Sequence, residues 1–145
     1  MKTVRNVYTT LKQHAGFIDN EHLQKYAQLI ERNTRTLRRG GLTNSHHIIP
    51  KSWFKINKQE VNNSLNNLVN LVYREHVLAH YYLCLCTEGD LLFANELALI
   101  CLISRKKLNL ADKQLVAQLP LYNNIYEDYK QKKQSNYRLY EETIE

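Results

Sequence analysis

The sequence predicts an α+β fold that is mainly helical. Apolar residues recur at helical spacing in several segments, whereas only two short apolar runs, at residues 46–49 and 67–72, suit β-strands. The 145 residues include two prolines and four glycines, and 43% of them are hydrophobic, which is typical of a folded domain with its own core. We therefore expect helices on both sides of a small two-stranded hairpin, all in one compact domain.

The first long helix is predicted over residues 19–39. Asp19 or Asn20 can cap its start, and Gly40–Gly41 can end it. Apolar side chains recur at steps of three, four and seven, which gives the helix one buried face. This face consists of Leu23, Tyr26, Ala27, Ile30 and Leu37.

Arginines occupy the other side of the same helix. The net charge of +6 is concentrated in the N-terminal part of the chain, because residues 1–45 contain eight Lys/Arg and three Asp/Glu, whereas residues 86–145 contain eight Lys/Arg and nine Asp/Glu. A basic surface attracts polyanions. Residues 1–44 are therefore predicted to form a basic helical region whose arginine face is either a solvated surface or a ridge that contacts phosphates. The arginine face consists of Arg32, Arg35 and Arg39, with Arg38 beside them.

Beyond this helix, the order strand, loop, strand and helix is predicted. Pro50 ends the first strand, and the polar, Asn-rich residues 51–66 are predicted to form a loop. Residues 74–85 are predicted to be helical. Residues 90–104 are apolar on nearly every face, which indicates a buried helix.

The cysteines indicate a reducing compartment. They lie among leucines, and their spacing is not that of a zinc site, so we expect buried free thiols. No apolar run reaches about 18 residues, and the basic N-terminal segment lacks the apolar stretch of a signal peptide. The sequence thus predicts a cytoplasmic protein with no membrane partner. The cysteines are Cys84, Cys86 and Cys101.

A stripe of tyrosines marks the C-terminal helical segment. Such a stripe serves packing, base stacking or contact with a partner helix. The last interpretation makes this segment a candidate interface of a homodimer. The stripe comprises Tyr122, Tyr126, Tyr129, Tyr137 and Tyr140.

Histidines are concentrated in residues 45–80, which contain four of the six in the chain. His76 and His80 are four positions apart on a predicted helix, so they share a face and can bind one divalent metal ion, unless the spacing is incidental. His46 and His47 are adjacent on a predicted strand, so their side chains point to opposite faces. One of them can bind metal while the other moves protons. The other two histidines, His14 and His22, are expected at the surface.

The segments HHIIP and NLVNLVYREHVLAH resemble the HNH, or ββα-metal, nuclease superfamily. The resemblance covers residues 44–83 and is strongest to phage-type and homing-like HNH endonucleases. Two histidines four apart on the last helix are also similar to the nuclease colicins. The resemblance implies a ββα-metal core at residues 45–85, with helical regions at 1–44 and 86–145 on either side.

The resemblance also implies a role for each motif residue. His46, His76 and His80 are expected to bind the metal. Alternatively, His80 contacts a ligand without binding the metal itself. His47 is expected to be the general base that activates water. Asn67 is expected to hold the loop and to orient His47 by a hydrogen bond, unless it is an ordinary turn residue. Candidate contacts to nucleic acid are Arg74, Lys51 and the four arginines Arg32, Arg35, Arg38 and Arg39.

The implied function is metal-dependent hydrolysis of phosphodiester bonds in DNA, with RNA as an alternative substrate. One divalent ion is expected, Mg²⁺ or Mn²⁺, with Zn²⁺ or Ni²⁺ as alternatives. A phage or mobile element is the expected source. The chain lacks the CxxC pairs of many HNH proteins, so its flanking helices are expected to supply the scaffold. No DNA-binding module is evident, so recognition of a long site is not expected. The alternatives are a binding or inhibitory module on an HNH scaffold and a toxin-type nonspecific nuclease.

Overall fold

A computed structural model of the chain describes residues 4–34 and 43–103. This part has an α+β fold that is mostly helical, as predicted, with two strands in one antiparallel sheet. A 3₁₀ turn, Leu65–Asn67, precedes the second strand. The elements are α1 (Val4–Leu11), α2 (Glu21–Thr34), β1 (Thr43–His47), α3 (Lys51–Ile56), β2 (Leu68–Val72), α4 (Tyr73–Leu85) and α5 (Gly89–Ile103).

Helix α2 begins at a side-chain cap. The backbone N–H groups of His22 and Leu23 donate to Oδ1 of Asn20, at 3.0 and 3.1 Å. The amide of Asn20 also donates to the carbonyl of Leu85 at 3.0 Å, which ties the start of α2 to the end of α4. The predicted apolar face is buried at Leu23, Tyr26, Ala27 and Ile30. Leu37 and the Gly40–Gly41 stop lie outside the described residues.

The two strands pair directly beside the start of α4. His46 lies opposite Val69, and His47 lies opposite Leu68. The first strand was predicted at residues 46–49, but β1 spans Thr43–His47. It ends early because the N–H and C=O of Ile49 bond to the Asn67 side chain instead of continuing the ladder.

The prediction of a loop over residues 51–66 is partly wrong, because α3 forms its first third. Pro50 precedes the helix with φ −58°, where proline needs no donor. Trp53 and Phe54 are buried, and the indole of Trp53 donates to the carbonyl of Ala15 at 2.9 Å. The two aromatic side chains anchor a helix that the polar composition of the whole segment concealed.

One buried cluster joins the described elements. It includes side chains from α1 to α5, among them Leu11, Ile30, Phe54, Leu83 and Leu91. Helix α4 lies between α2 and α5. Helix α5 is buried along most of its length, as predicted. The boundaries at residues 44/45 and 85/86 stay a prediction.

The three cysteines are free thiols, but they are not all buried. Cys84 and Cys86 are buried, whereas Cys101 is exposed, which corrects the prediction at that position. A 15-residue helix packed on its neighbours still turns some positions outward, and Cys101 is one of them. In residues 4–34 and 43–103, no helix has both the length and the apolar character needed to cross a membrane. The tyrosine stripe lies outside the described residues.

Candidate functional site

Three histidines converge beside the hairpin. His46 comes from β1, and His76 and His80 come from one face of α4, as their spacing predicts. One nitrogen of each ring lies within 4.8 Å of the others. His46 and His76 are buried and His80 is half-buried. The three rings, named here the three-histidine cluster, are close enough to hold one metal ion.

The spacing within the cluster fits a shared ion. Nε2 of His76 and Nε2 of His80 are 3.2 Å apart. Two nitrogens that each lie about 2.1 Å from a tetrahedral ion are about 3.4 Å apart. The ring centroids of His46 lie 5.2 and 5.1 Å from those of His76 and His80. The two nitrogens from α4 therefore already have the spacing that a shared ion requires, and the ring of His46 lies beside both.

Hydrogen bonds hold two of the rings in place. Nε2 of His46 lies 2.8 Å from the hydroxyl of Tyr26, which donates to the carbonyl of Ile48 at 2.7 Å. Nδ1 of His76 donates to Oδ1 of Asn44 at 3.1 Å, because an amide oxygen can only accept. The lone pair of His76 is therefore on Nε2, the atom that faces His80.

Burial favours the uncharged forms of His46 and Tyr26. It lowers the pKa of the His46 imidazole well below its usual value, and the neighbouring rings of His80, His76 and His47 act in the same direction. Burial also raises the pKa of the Tyr26 hydroxyl well above its usual value. A neutral imidazole is the form that binds metal.

His47 lies outside the cluster because successive strand residues point to opposite faces. Its side chain is half-buried. Nε2 of His47 donates to Oδ1 of Asn63 at 2.7 Å, so the lone pair of the neutral ring is on Nδ1. This nitrogen can accept a proton from a water molecule.

Asn67 holds the loop, as predicted, but the expected hydrogen bond to His47 is not its role. Its Oδ1 accepts from the N–H of Ile49 at 2.8 Å, and its Nδ2 donates to the carbonyls of Ile49 at 3.2 Å and Asn62 at 2.9 Å. The Asn67 side chain is thereby used on the backbone, and the acceptor for the N–H of His47 is Oδ1 of Asn63 instead. The loop sequence contains several asparagines, and only the path of the loop determines which of them accepts the hydrogen bond from His47.

The remaining predicted residues lie around the site or outside the described part. Arg74 is exposed in the first turn of α4, and Lys51 is half-buried at the start of α3. Arg32 is largely exposed and pairs with Glu75 at 3.6 Å, next to His76 in sequence. Their contacts to nucleic acid stay a prediction. The arginines outside the described residues are Arg35, Arg38 and Arg39.

The other two histidines are less exposed than expected. Both are half-buried. The ring of His14 packs edge-on against Trp53, with the centroids 4.6 Å apart. His22 lies in the first turn of α2, 3.8 Å from a carboxylate oxygen of Glu21. The contact between His14 and Trp53 of α3 joins residues far apart in the chain, so sequence spacing alone did not indicate it.

Comparison with known proteins adds no relative. No family model, curated protein or solved structure matches the chain. A function is therefore assigned from three features of the site: the three-histidine cluster, the separate imidazole of His47 and the loop held by Asn67.

Proposed function

We propose that the protein is a metal-dependent endonuclease of the HNH type, which hydrolyses phosphodiester bonds in DNA. One observation carries the proposal: a candidate metal site and a separate proton acceptor project from adjacent residues of one strand. The order of two antiparallel strands followed by a helix supports a ββα-metal core. A binding module has no need for a proton acceptor beside a metal site.

His46, His76 and His80 would hold one divalent ion. When bound, the ion supplies a Lewis acid that stabilises the negative charge developing on the phosphate and on the leaving oxygen. Three imidazole nitrogens favour Zn²⁺ or Ni²⁺ over Mg²⁺, which prefers oxygen ligands. Among the expected ions, the donor set therefore moves the preference towards Zn²⁺ and Ni²⁺.

His47 would act as the general base. Its Nδ1 accepts a proton from the attacking water, while Nε2 keeps its hydrogen bond to Asn63. The amide oxygen of Asn63 faces an N–H before and after the transfer, so it stabilises the imidazolium that forms. Asn67 acts on this step indirectly, by fixing the backbone that follows His47.

Basic residues at the rim would bind the substrate. Arg74 is exposed two positions before His76, where a phosphate group next to the cleaved bond can reach it. Lys51 and Arg32 are candidates for more distant phosphates. Contacts of this kind do not read bases, which suits an enzyme with limited sequence preference.

The test is cleavage of supercoiled plasmid, single-stranded DNA and RNA with Mg²⁺, Mn²⁺, Ni²⁺, Zn²⁺ or EDTA. We expect metal-dependent cutting of DNA that falls by about 10²–10⁴-fold in His47→Ala, the usual effect of removing a general base. His22→Ala, which changes a histidine outside the site, should cut like the wild type. The absence of cutting by the wild type under every condition would contradict the proposal and favour the binding module.

A further inference from the structure

Tyr26 makes two polar contacts in addition to its packing contacts. It belongs to the apolar face of α2, and its side chain is fully buried, at 0% exposure. A buried phenol needs hydrogen-bond partners for its hydroxyl. The hydroxyl oxygen of Tyr26 has two: Nε2 of His46 at 2.8 Å and the carbonyl oxygen of Ile48 at 2.7 Å.

The positions of the protons follow from these two contacts. The carbonyl of Ile48 can only accept, so the single proton of the Tyr26 hydroxyl is donated to it. Only the lone pairs of the hydroxyl then face His46, so Nε2 of His46 must carry a hydrogen. A neutral imidazole carries one N–H, and the lone pair of His46 is therefore on Nδ1.

We infer that Tyr26 is a positioning residue of the three-histidine cluster, which holds His46 in the Nε2–H tautomer so that Nδ1 is presented to a divalent cation. Metal-binding histidines usually donate their other N–H to a fixed acceptor, which sets both the tautomer and the ring orientation. The inference rests on the metal-binding part of the proposed function and not on nuclease activity.

The Tyr26 hydroxyl also links the three-histidine cluster to the loop held by Asn67. Ile48, which accepts its proton, directly follows His47 in the chain. The backbone N–H of Ile48 donates to the carbonyl of Asn67 at 2.9 Å. Tyr26 thus fixes a metal ligand and the backbone beside His47 with one group, and it does so from α2, outside the segment that resembles HNH nucleases.

The experiment combines NMR with metal titration. Long-range ¹H–¹⁵N spectra of the metal-free protein report which ring nitrogen of His46 carries the hydrogen. We expect the Nε2–H tautomer in the wild type and a mixture of tautomers in Tyr26→Phe, which retains the ring. Zn²⁺ titration against a competing chelator should show affinity about 10–100-fold weaker in Tyr26→Phe, the usual effect of losing such a partner.

Tyr73→Phe is the matched control. It removes a hydroxyl that donates to the carbonyl of Leu102 at 2.8 Å, and Leu102 belongs to α5 and not to the cluster, so Zn²⁺ affinity and the tautomer of His46 should be unchanged. Thermal unfolding of both variants checks that each is folded. The tautomer of the wild type needs no variant, so it tests the inference even where Tyr26→Phe is unstable.

The possible outcomes distinguish a failure of this inference from a failure of the proposed nuclease activity. An Nδ1–H tautomer in the wild type, or Zn²⁺ affinity of a folded Tyr26→Phe within twofold of the wild type, overturns the role of Tyr26. Zn²⁺ binding that weakens in Tyr26→Phe, in a protein that cuts no nucleic acid, supports Tyr26 and contradicts only the nuclease. A wild type that binds no divalent ion overturns the inference and the metal site together.

Discussion

The two faces of β1 give neighbouring histidines different environments. His46 is buried, its Nε2 contacts the hydroxyl of Tyr26, and its pKa is lowered by burial. His47 is half-buried on the other face, and its partner is Asn63 in an exposed stretch of loop. The side facing α2 and α4 therefore shields the candidate metal ligand His46 from water, whereas the side facing the loop leaves His47, the proposed base, partly exposed. One strand can supply both groups because adjacent side chains alternate.

The largest expected effect comes from removing a proposed metal ligand on the buried face. Losing a residue that hydrogen-bonds a metal ligand typically weakens metal affinity by about 10–100-fold. In His46→Ala, which removes the proposed ligand itself, Zn²⁺ affinity should fall by more than this, and cleavage should fall with it. Isothermal titration with Zn²⁺ and a plasmid-nicking assay measure the two quantities. His80→Ala, at the more exposed edge of the cluster, should behave the same way, and it covers the case in which the cavity in His46→Ala impairs folding. Unchanged Zn²⁺ affinity in both variants would remove the cluster from the account.

A smaller effect is expected where the loop is fixed. Asn67→Ala leaves the backbone N–H of Ile49 without its acceptor and removes two further hydrogen bonds. An unsatisfied buried group costs about 1–3 kcal/mol, so the melting temperature should fall by about 2–4 °C for each kcal/mol. Thermal unfolding followed by circular dichroism measures this. Asn66→Ala, at an exposed position of the same loop, should have the melting temperature of the wild type. Equal melting temperatures for the wild type, Asn66→Ala and Asn67→Ala would show that the Asn67 hydrogen bonds do not stabilise the loop.

The smallest effect is expected on the exposed face. Asn63→Ala removes the acceptor that orients His47, and one such hydrogen bond corresponds to about 3–10-fold in cleavage rate. Zn²⁺ affinity and stability should stay at their wild-type values, because Asn63 is exposed and its side chain bonds His47, which is not part of the cluster. Single-turnover cleavage measures the rate. Asn63→Asp keeps an acceptor and should retain more activity than Asn63→Ala; equal losses in both would mean that the hydrogen bond does not orient the base.

Periodicity predicted most of the fold. The apolar face of α2, the hairpin and the all-round apolar character of α5 follow from spacing along the chain, and these elements are present. Helix α3 was missed because Trp53 and Phe54 lie in a segment whose average composition is polar. The end of β1 was misplaced because Asn67, distant in sequence, takes over the backbone hydrogen bonds of Ile49.

The candidate site was predictable only in part, for a related reason. Helical spacing brought His76 and His80 together, and strand alternation separated His46 from His47. The hydrogen-bond partners behind these rings were not predictable. Tyr26 is indistinguishable in sequence from a packing residue, and Asn63 is one of several loop amides. Their roles depend on how α2 packs against β1 and on the path of the loop, which no local pattern specifies.

The most direct test of the division between the two faces is one preparation of His47→Ala in which Zn²⁺ affinity and cleavage rate are both measured. We expect a dissociation constant within about twofold of the wild type and cleavage reduced by about 10²–10⁴-fold, because the proposed metal site and the proposed base use separate histidines. Zn²⁺ affinity that falls together with cleavage would contradict the account, since His47 would then belong to the metal site. Cleavage at the wild-type rate would contradict it equally, because His47 would not be the base.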